Sequence, residues 1–453
     1  MGTEKEREEM KKRDGFKNSF GFVLACIGSA VGMGNIWLFP RRVAAFGAPF
    51  LIAYLICVVV IGFSGVIGEM AFGRAMRAGP MGAFEGAMER RGCRGAGTVL
   101  SMVPVLGSFA MAIGYSVVVG WIIRYTVGTF TGATLAPEAV DGFWGAFGTA
   151  ATGTNNLGFH LAALIISFLI LVFGVSKGIE NSNKIFMPVF FALFIAIAIY
   201  VSTLSGAADG YRYMFQISDW SQLLSGNMWK YALGQAFFSL SLAGSGTLVY
   251  GSYIDDDVNI PRSAIAVAVF DTLAAFVAAL AIIPAVYSAG IDFNAEITSG
   301  PGLMFVYLPL IFREMPYGAV IAVVFFIAAL FAGLSSLINL FESPIEALQS
   351  RLGMKRFPAV ALVLGVGTVI AVLISGIVSD WMDVCSIYIC PIGALLAAMM
   401  FFWVCGREYA VSEIEKGSGS RAAGLFAGLG RYLFCGLTIL VLVLGSLTAG
   451  GIG

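Results

Sequence analysis

The sequence predicts an all-α membrane protein with eleven transmembrane helices. Of its 453 residues, 58% are hydrophobic and only 12% are charged, and the mean hydropathy is +0.88. Soluble proteins carry about 25% charged residues, so this composition indicates a chain that lies in lipid. A helix needs roughly 20 apolar residues to cross a bilayer. Eleven stretches are long enough, and they lie at 19–39, 48–73, 97–127, 157–175, 184–203, 229–253, 262–288, 317–348, 357–378, 383–405 and 428–449.

The first apolar stretch is interrupted near its middle. Gly28, Gly32 and Gly34, followed by Asn35, stand where a membrane helix should be continuous. A glycine costs a helix interior about 1 kcal/mol relative to alanine. Peptide groups freed by a break find no water in hydrocarbon, so such a break is tolerated only inside protein or along a cavity. Broken helices near the bilayer midplane mark the binding sites of secondary transporters, and the first stretch therefore predicts a transporter.

The sixth stretch contains a second break, where glycines and hydroxyl residues interrupt the apolar run between Gly234 and Thr247. The two broken helices are five apart. This offset predicts an inverted repeat of two five-helix units, at 19–203 and 229–405, with the eleventh helix at 428–449 outside the repeat. The repeat rests on the matched breaks, because the two halves show no pairwise similarity.

The positive charges predict the orientation in the membrane. The N-terminal segment, 1–18, is rich in lysine and arginine, and placing it in the cytoplasm puts most of the chain's 27 Lys and Arg residues on that side. The positive-inside rule favours this arrangement. An odd number of helices then places the C-terminus outside, in a multi-pass protein of the cell membrane. Topology accounts for the basic residues, so we expect no nucleic-acid partner.

Several other functional classes lack their characteristic residues. The seven cysteines show no spacing typical of a metal site, and no Walker motif is present for ATP binding. His160, the single histidine, lies near a predicted helix start and is expected to be interfacial rather than a proton relay. A membrane enzyme should show clustered carboxylate, His or Cys residues, and a channel should show a continuous polar lining. We therefore predict that the protein is not an enzyme.

Three segments resemble the neurotransmitter:sodium symporter family, which includes the bacterial leucine transporter and the mammalian monoamine and GABA carriers. They are GSAVGMGNIWLFP in the first stretch, GQAFFSLSL with the later YGSY in the sixth, and FAGLSS in the eighth. Their order and spacing also match, and the resemblance covers nearly the whole chain. It implies a leucine-transporter-like fold and similarity to bacterial leucine, tyrosine and multi-hydrophobic amino acid transporters.

The resemblance implies two sodium sites, and sodium prefers oxygen ligands. The first would use the Ala30 carbonyl, Asn35, Ser239 and the substrate carboxylate, with a ligand from the seventh helix. The family commonly has asparagine there, and the best match here is Asp271. An isolated carboxylate in an apolar helix is usually functional. Asp271 is thus expected to be a sodium ligand or a fixed charge that replaces the chloride of mammalian relatives; the alternative is a helix-end carboxylate near the cytoplasmic interface.

The second implied sodium site combines carbonyls of the first stretch with the eighth. Its ligands would be the carbonyls of Gly28, Val31 and Ala332 and the hydroxyls of Ser335 and Ser336. The alternative for adjacent serines in a membrane helix is a hydrogen bond to a carbonyl of their own helix.

The resemblance also implies a pocket for an amino acid. Its members would be Ala30, Met33, Gly34, Met111, Tyr115, Phe238, Ser239, Ser241, Gly244, Ser336 and Leu340. The Met33 and Gly34 N–H groups and the Tyr115 hydroxyl would bind the carboxylate, while free carbonyls of both breaks would bind the ammonium group. The alternative for Tyr115 is ordinary packing.

The pocket residues also indicate the kind of substrate. Monoamine carriers have aspartate at the position of Gly32, so glycine favours a substrate that brings its own carboxylate. The side-chain wall would be Met111, Phe238, Gly244 and Leu340, which carry no charge. A charged substrate side chain would be costly to desolvate there. Gly244 replaces a phenylalanine of the leucine transporter and leaves room for a larger side chain.

Gating residues are expected on both sides. Phe238 and Tyr115 would form an outer lid, and Asp383 matches an aspartate that pairs with arginine in many relatives, although Leu38 stands at the arginine position. Arg41 or Arg42 is a substitute. On the cytoplasmic side, the latch residues would be Arg13, Phe16, Ser252 and Tyr253, with Glu342 or Glu346 as the acidic partner.

Together these features predict a sodium-coupled symporter of neutral, hydrophobic or aromatic, amino acids that works by alternating access. The alternative is a proton-coupled or exchange transporter of the same broad fold. The expected partners are the amino acid, two sodium ions and the lipid bilayer, and the expected state is a monomer or a weak dimer.

Overall fold

The computed structural model describes residues 14–152, 154–217, 219–242, 245–293, 297, 299–419 and 421–447. The regular structure in these ranges is helical, with no β-strand among them. In chain order, the helices are α1 (Ser19–Ala30), α2 (Gly34–Phe46), α3 (Ala48–Met76), α4 (Pro80–Glu89), α5 (Arg94–Thr131), α6 (Val140–Ala151), α7 (Leu157–Val172), α8 (Val175–Ser202), α9 (Ala207–Phe215), α10 (Gly226–Ser239), α11 (Gly246–Gly251), α12 (Ile260–Ser288), α13 (300–314), α14 (Gly318–Leu352), α15 (Arg356–Leu373), α16 (Val378–Val404), α17 (Arg407–Glu415) and α18 (Ala423–Leu447).

The membrane character of the fold rests on the long apolar helices. Within the described ranges, eight helices are long and apolar enough to cross a membrane, namely α3, α5, α8, α12, α14, α15, α16 and α18. Helices α1 and α2 pass the same test together, as one span bent by 54°. Helix α7 is a shorter apolar helix. All of these coincide with apolar stretches predicted from the sequence.

The first break lies between α1 and α2. The side chain of Asn18 caps α1 by accepting the Gly21 N–H at 2.8 Å. The helix ends at Ala30 because Val31 is extended (φ −71°, ψ 110°). The Asn35 Oδ1 atom then accepts the Gly32 N–H at 3.0 Å. The restarting helix thus satisfies a peptide group that the break sets free, as burial in an apolar environment requires.

The second break separates α10 from α11. Ser241 and Ser245 both have left-handed backbone conformations, with φ of 56° and 51°. Such values are uncommon for residues other than glycine and end a right-handed helix. The break predicted for the sixth stretch is therefore present, and residues 243–244 within it lie outside the described ranges.

The two broken helices lie at the centre of the helical bundle. Helix α1 packs against α8, α12 and α14, while α10 and α11 pack along successive parts of α3. Helix α5 packs along α14 and completes the enclosure. The breaks are thus surrounded by protein.

Some predicted boundaries differ from the structure. The fifth stretch was expected to begin at 184, but α8 begins at Val175 in a π-helical turn. Hydropathy misses this turn because it contains the charged residues Lys177 and Glu180. Glu180 accepts hydrogen bonds from Lys184 Nζ at 2.5 Å and from the Lys17 N–H at 2.8 Å. The first stretch was expected to end at 39, yet α2 continues to Phe46. Its π-helical turn Gly34–Leu38 is followed by an α-helical part, Phe39–Phe46, and Pro40 lies in the first turn of this part, where proline is tolerated.

Candidate functional site

The two breaks contact each other directly. Ser241 Oγ donates a hydrogen bond to the Ser29 carbonyl at 2.6 Å, and the two serine hydroxyls are 3.1 Å apart. The two helix breaks, one in each half of the chain, are therefore in contact. Their contact brings together predicted site residues that are more than 200 positions apart in the sequence.

Three of the residues expected at the first sodium site form one buried cluster. Asn35 Nδ2 donates to Asp271 Oδ1 at 2.8 Å and to the Asp271 carbonyl at 3.1 Å. Ser239 Oγ donates to Asp271 Oδ2 at 2.7 Å and lies 3.3 Å from Asn35 Nδ2. Asn35 and Asp271 have no exposed surface. The cluster provides a buried carboxylate and a hydroxyl oxygen, which are ligand types that a hard cation such as sodium prefers, while the Asn35 amide oxygen accepts the Gly32 N–H.

Asp271 is placed in the bundle interior rather than at a helix end. It lies within α12, which begins at Ile260, and it faces the break between α1 and α2. The alternative of a carboxylate at the cytoplasmic interface does not match this position.

The residues expected at the second sodium site also converge. Ser336 Oγ lies 3.0 Å from the Val31 carbonyl and 3.4 Å from the Gly28 carbonyl. Ser335 Oγ donates instead to the Ala332 carbonyl of its own helix at 2.9 Å, as the alternative for adjacent serines proposed. Because Ser335 is the donor in this bond, the lone pairs of its hydroxyl oxygen remain available to a cation. Three carbonyls and two hydroxyls thus provide an all-oxygen set suited to sodium.

A cavity lies beside these clusters. Its lining residues are Ser29, Ala30, Gly32, Met111, Tyr115, Phe238, Ser241, Ser336, Asn339 and Leu340. Seven of the predicted pocket residues are among them. Met33, Gly34 and Ser239 are not among the lining residues, and Gly244 lies outside the described residues.

The Tyr115 hydroxyl is an anchoring group at this cavity. It accepts the Met33 N–H at 3.0 Å, where α2 begins. A Cβ atom at Gly32 would lie only 2.6 Å from this hydroxyl and 2.8 Å from Ser336 Oγ. A larger residue at position 32 would therefore displace both groups. Tyr115 has a polar role here, and packing alone does not describe it.

On the outer side, the predicted salt bridge is not formed. Asp383 is exposed and makes no ion pair with any described residue. Arg42 instead stacks on the ring of Tyr231, with its guanidinium carbon 3.7 Å from the ring centroid. Neither Arg41 nor Arg42 forms an ion pair with Asp383 in the described part of the chain. Phe238, by contrast, lines the cavity beside Tyr115, as expected for a lid residue.

Most of the residues predicted for a cytoplasmic latch come together. The Phe16 N–H donates to the Tyr253 carbonyl at 3.3 Å, and the two rings are 6.5 Å apart. The Tyr253 hydroxyl donates to Glu342 at 2.7 Å. Glu342 also receives two hydrogen bonds from Arg356, at 2.7 and 2.6 Å. Of the two acidic candidates, Glu342 thus contacts the latch residue Tyr253.

The remaining predicted latch residues are Ser252 and Arg13. The Ser252 hydroxyl donates to the Val249 carbonyl at 2.7 Å, a bond within one helical turn. Arg13 lies outside the described residues. His160 is buried in the first turn of α7, with its Nε2 atom 2.9 Å from Ser116 Oγ.

Sequence reasoning missed two buried polar residues next to the breaks. The Tyr54 hydroxyl lies 3.5 Å from Ser239 Oγ. Glu69, in the middle of the apolar helix α3, accepts the Thr247 hydroxyl at 2.5 Å and ties α3 to the start of α11. An isolated glutamate in the apolar run VIGEMAFG was the available signal for the second residue.

The comparisons with known proteins agree with this architecture. The family model described as the sodium:neurotransmitter symporter family matches residues 13–146 and 147–449. The chain is 30% identical to YhdH, an uncharacterized sodium-dependent transporter of Bacillus subtilis, over 423 residues that cover 90% of this chain and 91% of the relative. It is 28% identical to an uncharacterized sodium-dependent transporter of Methanocaldococcus jannaschii, over 89% of this chain and 85% of the relative.

Among solved structures, the chain is similar to MhsT in complex with L-phenylalanine. The TM-score is 0.83 and the sequence identity is 32%, over 96% of this chain and 100% of that chain. The family match, the shared fold and the paired breaks lead to one conclusion. The chain belongs to the sodium:neurotransmitter symporter family.

Proposed function

We propose that the protein is a sodium-coupled symporter of neutral amino acids with hydrophobic or aromatic side chains. The observation that carries this proposal is the meeting of both helix breaks at one cavity, beside the buried cluster of Asn35, Ser239 and Asp271 and the oxygen atoms around Ser336. Such a junction offers adjacent places for an amino acid and for cations. In the structure of MhsT, the bound molecule is L-phenylalanine, which supports the same class of substrate here.

The cavity suits an amino acid zwitterion. Its carboxylate would bind beside the Tyr115 hydroxyl and the N-terminus of α2, where helix geometry favours anions. Its ammonium group would bind the carbonyls that the breaks set free. The remaining wall is formed by Met111, Phe238 and Leu340, which are apolar. A side chain without charge fits this wall, because a charge would lose its hydration without gaining a partner.

Two sodium ions would bind on either side of the substrate. The first would be held by the Ala30 carbonyl, Asn35, Ser239 and Asp271, and it would also contact the substrate carboxylate. The second would be held by the carbonyls of Gly28, Val31 and Ala332 and the hydroxyls of Ser335 and Ser336. Because these ligands belong to helices that must move relative to each other, sodium would favour the conformation in which they lie together.

The proposed topology has eleven transmembrane helices in the cell membrane, with the N-terminus in the cytoplasm and the C-terminus outside. The eight long helices, the bent pair α1–α2, the shorter α7 and the pair α10–α11 supply this number. The first and sixth of them are the broken helices of two five-helix units. Transport would proceed by movement of one bundle against the other around a fixed site.

A ligand screen on the purified protein tests the proposal. The melting temperature would be measured with each of the twenty amino acids, in sodium chloride and in potassium chloride. Binding to the folded state raises the melting temperature. We expect stabilisation by hydrophobic or aromatic amino acids in sodium only. Stabilisation that is equal in both salts would favour the proton-coupled or exchange transporter, and stabilisation by charged amino acids alone would contradict the proposed substrate class.

A further inference from the structure

Asn183, on the fifth apolar helix, is a buried polar residue that the two candidate sodium sites do not include. It has no exposed surface and lies on α8, one turn after the π-helical start of that helix. Its Nδ2 atom donates to the Ile179 carbonyl at 2.9 Å. Its Oδ1 atom has no hydrogen-bond partner among the described residues. An amide oxygen buried in this way is costly, and each such case in a folded protein calls for an explanation.

The unpaired oxygen is directed at the second candidate sodium site. A Cβ atom at Gly28 would overlap Asn183 Oδ1, so the amide oxygen lies directly against this glycine. The same hypothetical atom would be 3.1 Å from Ser335 Cβ. Gly28 and Ser335 both belong to the second site. Asn183 therefore stands where α1, α8 and α14 pack together.

The bond to Ile179 fixes which atom of the amide faces the site. Because the nitrogen donates within its own helix, the oxygen is turned toward Gly28. The ammonium group of Lys184, the next residue along the chain, is paired with Glu180, with its Nζ atom 2.5 Å from the carboxylate. Within the described part of the chain, no lysine or arginine is bonded to the Asn183 oxygen.

We propose that Asn183 Oδ1 contributes an oxygen from α8 to sodium bound at the second site. The inference rests on the proposed function, since it requires that sodium binds there. Sodium accepts several oxygen ligands, and a neutral amide oxygen is a suitable one. The contribution ties a third helix to the site, in addition to α1 and α14. Sodium binding then holds the beginning of α8 against the first break.

Sodium titrations of purified variants test this inference. Asn183→Leu removes the oxygen at nearly constant volume, and Asn183→Asp keeps an oxygen and adds negative charge. The matched control is Asn181→Leu, which changes an exposed asparagine of the same helix whose Nδ2 atom bonds the Lys177 carbonyl at 3.2 Å. The melting temperature is recorded against sodium chloride concentration, with choline chloride holding the ionic strength constant and with no amino acid present.

We expect the half-saturating sodium concentration to rise roughly tenfold or more in Asn183→Leu, as for loss of one interaction with a charged group. Asn183→Asp should bind sodium at the parent concentration or below, and Asn181→Leu should match the parent. An unchanged value in Asn183→Leu would overturn the inference while leaving the proposed function intact. If Asn183→Leu does not fold, weaker sodium binding by Asn183→Asp than by the parent overturns it. A parent that shows no response to sodium would overturn the proposed function, and this inference with it.

Discussion

At the scale of single residues, Asp271 carries the only carboxylate of the first candidate sodium site. It accepts hydrogen bonds from Asn35 and Ser239 inside the bundle and has no exposed surface. A buried carboxylate persists when it is paired or coordinates a cation. Its position beside the first break agrees with a negative charge that balances sodium.

The first prediction concerns chloride. We expect Asp271 to supply the negative charge that a chloride ion provides in mammalian relatives. Replacement of chloride by gluconate should therefore leave amino acid uptake by the parent nearly unchanged. Asp271→Ser should abolish uptake or make it depend on chloride. Uptake by proteoliposomes in the two salts measures both effects. The control is Asp383→Ser, which removes an exposed carboxylate of α16. A strong chloride requirement of the parent would contradict the role given to Asp271.

The second prediction concerns the anchoring hydroxyl of the cavity. Tyr115→Phe leaves the Met33 N–H without its acceptor and removes a donor for the substrate carboxylate. Loss of a hydrogen bond to a charged group costs about 1.5–3 kcal/mol, so amino acid affinity should fall by roughly 10- to 100-fold. Binding competition at saturating sodium measures this change. Tyr125→Phe is the control, because that hydroxyl is buried in the same helix without a hydrogen-bond partner among the described residues. Equal affinities for Tyr115→Phe and the parent would argue for a packing role alone.

At the scale of secondary-structure elements, the cytoplasmic latch joins parts of the chain that are distant in sequence. The segment before α1 contacts Tyr253 after α11, and Tyr253 contacts Glu342 of α14. Glu342 in turn binds Arg356 at the start of α15. The latch thus connects both broken helices with α14, which carries residues of the second candidate sodium site. Opening toward the cytoplasm requires these contacts to separate.

The third prediction tests the strength of this latch. In Glu342→Gln, Arg356 loses its charged partner while its side chain remains mostly buried, with 18% exposed, and Glu342 itself has no exposed side-chain surface. Breaking such a buried ion pair costs about 3–5 kcal/mol. The melting temperature in detergent should therefore fall by several degrees. Glu89→Gln is the control, since its pair with Arg94 spans 3.9 Å between side chains that are 63% and 59% exposed.

Exposed pairs of that kind contribute about 0–1 kcal/mol, so Glu89→Gln should melt close to the parent. Equal melting temperatures for both variants would show that the Glu342–Arg356 pair does not hold the latch closed. A larger loss in Glu89→Gln than in Glu342→Gln would contradict the assignment of the latch to the buried pair.

At the scale of the whole molecule, the sequence indicates the architecture well, because a membrane imposes long apolar helices and makes every interruption conspicuous. The breaks at Gly32 and near Ser241 stand out for this reason, and so does Asp271 in its apolar helix. Site residues that are polar within apolar runs can be found in the same way. The family resemblance then relates them to sodium and to an amino acid.

Other features depend on pairing, which a single sequence does not reveal. Helix α8 begins earlier than its hydropathy indicates, because Glu180 neutralises Lys184 and accepts the Lys17 N–H. The acidic partner of Tyr253 depends on the path of α14, which places Glu342 within reach. The separation of Asp383 from Arg42 has the same origin, since stacking on Tyr231 competes with an ion pair. The start of α8, the partner of Tyr253 and the position of Arg42 are thus determined by packing between helices that are distant in the sequence.

Uptake driven by a sodium gradient is the measurement that tests sodium coupling most directly. Proteoliposomes loaded with potassium would be diluted into sodium or potassium buffer that contains the labelled amino acid giving the largest stabilisation in the screen. We predict accumulation above the equilibrium level in sodium, loss of accumulation when the gradient is dissipated, and little uptake in potassium or lithium. Liposomes without protein provide the background. Undiminished accumulation in potassium-only buffer, or accumulation that follows an imposed proton gradient instead, would contradict sodium-coupled symport.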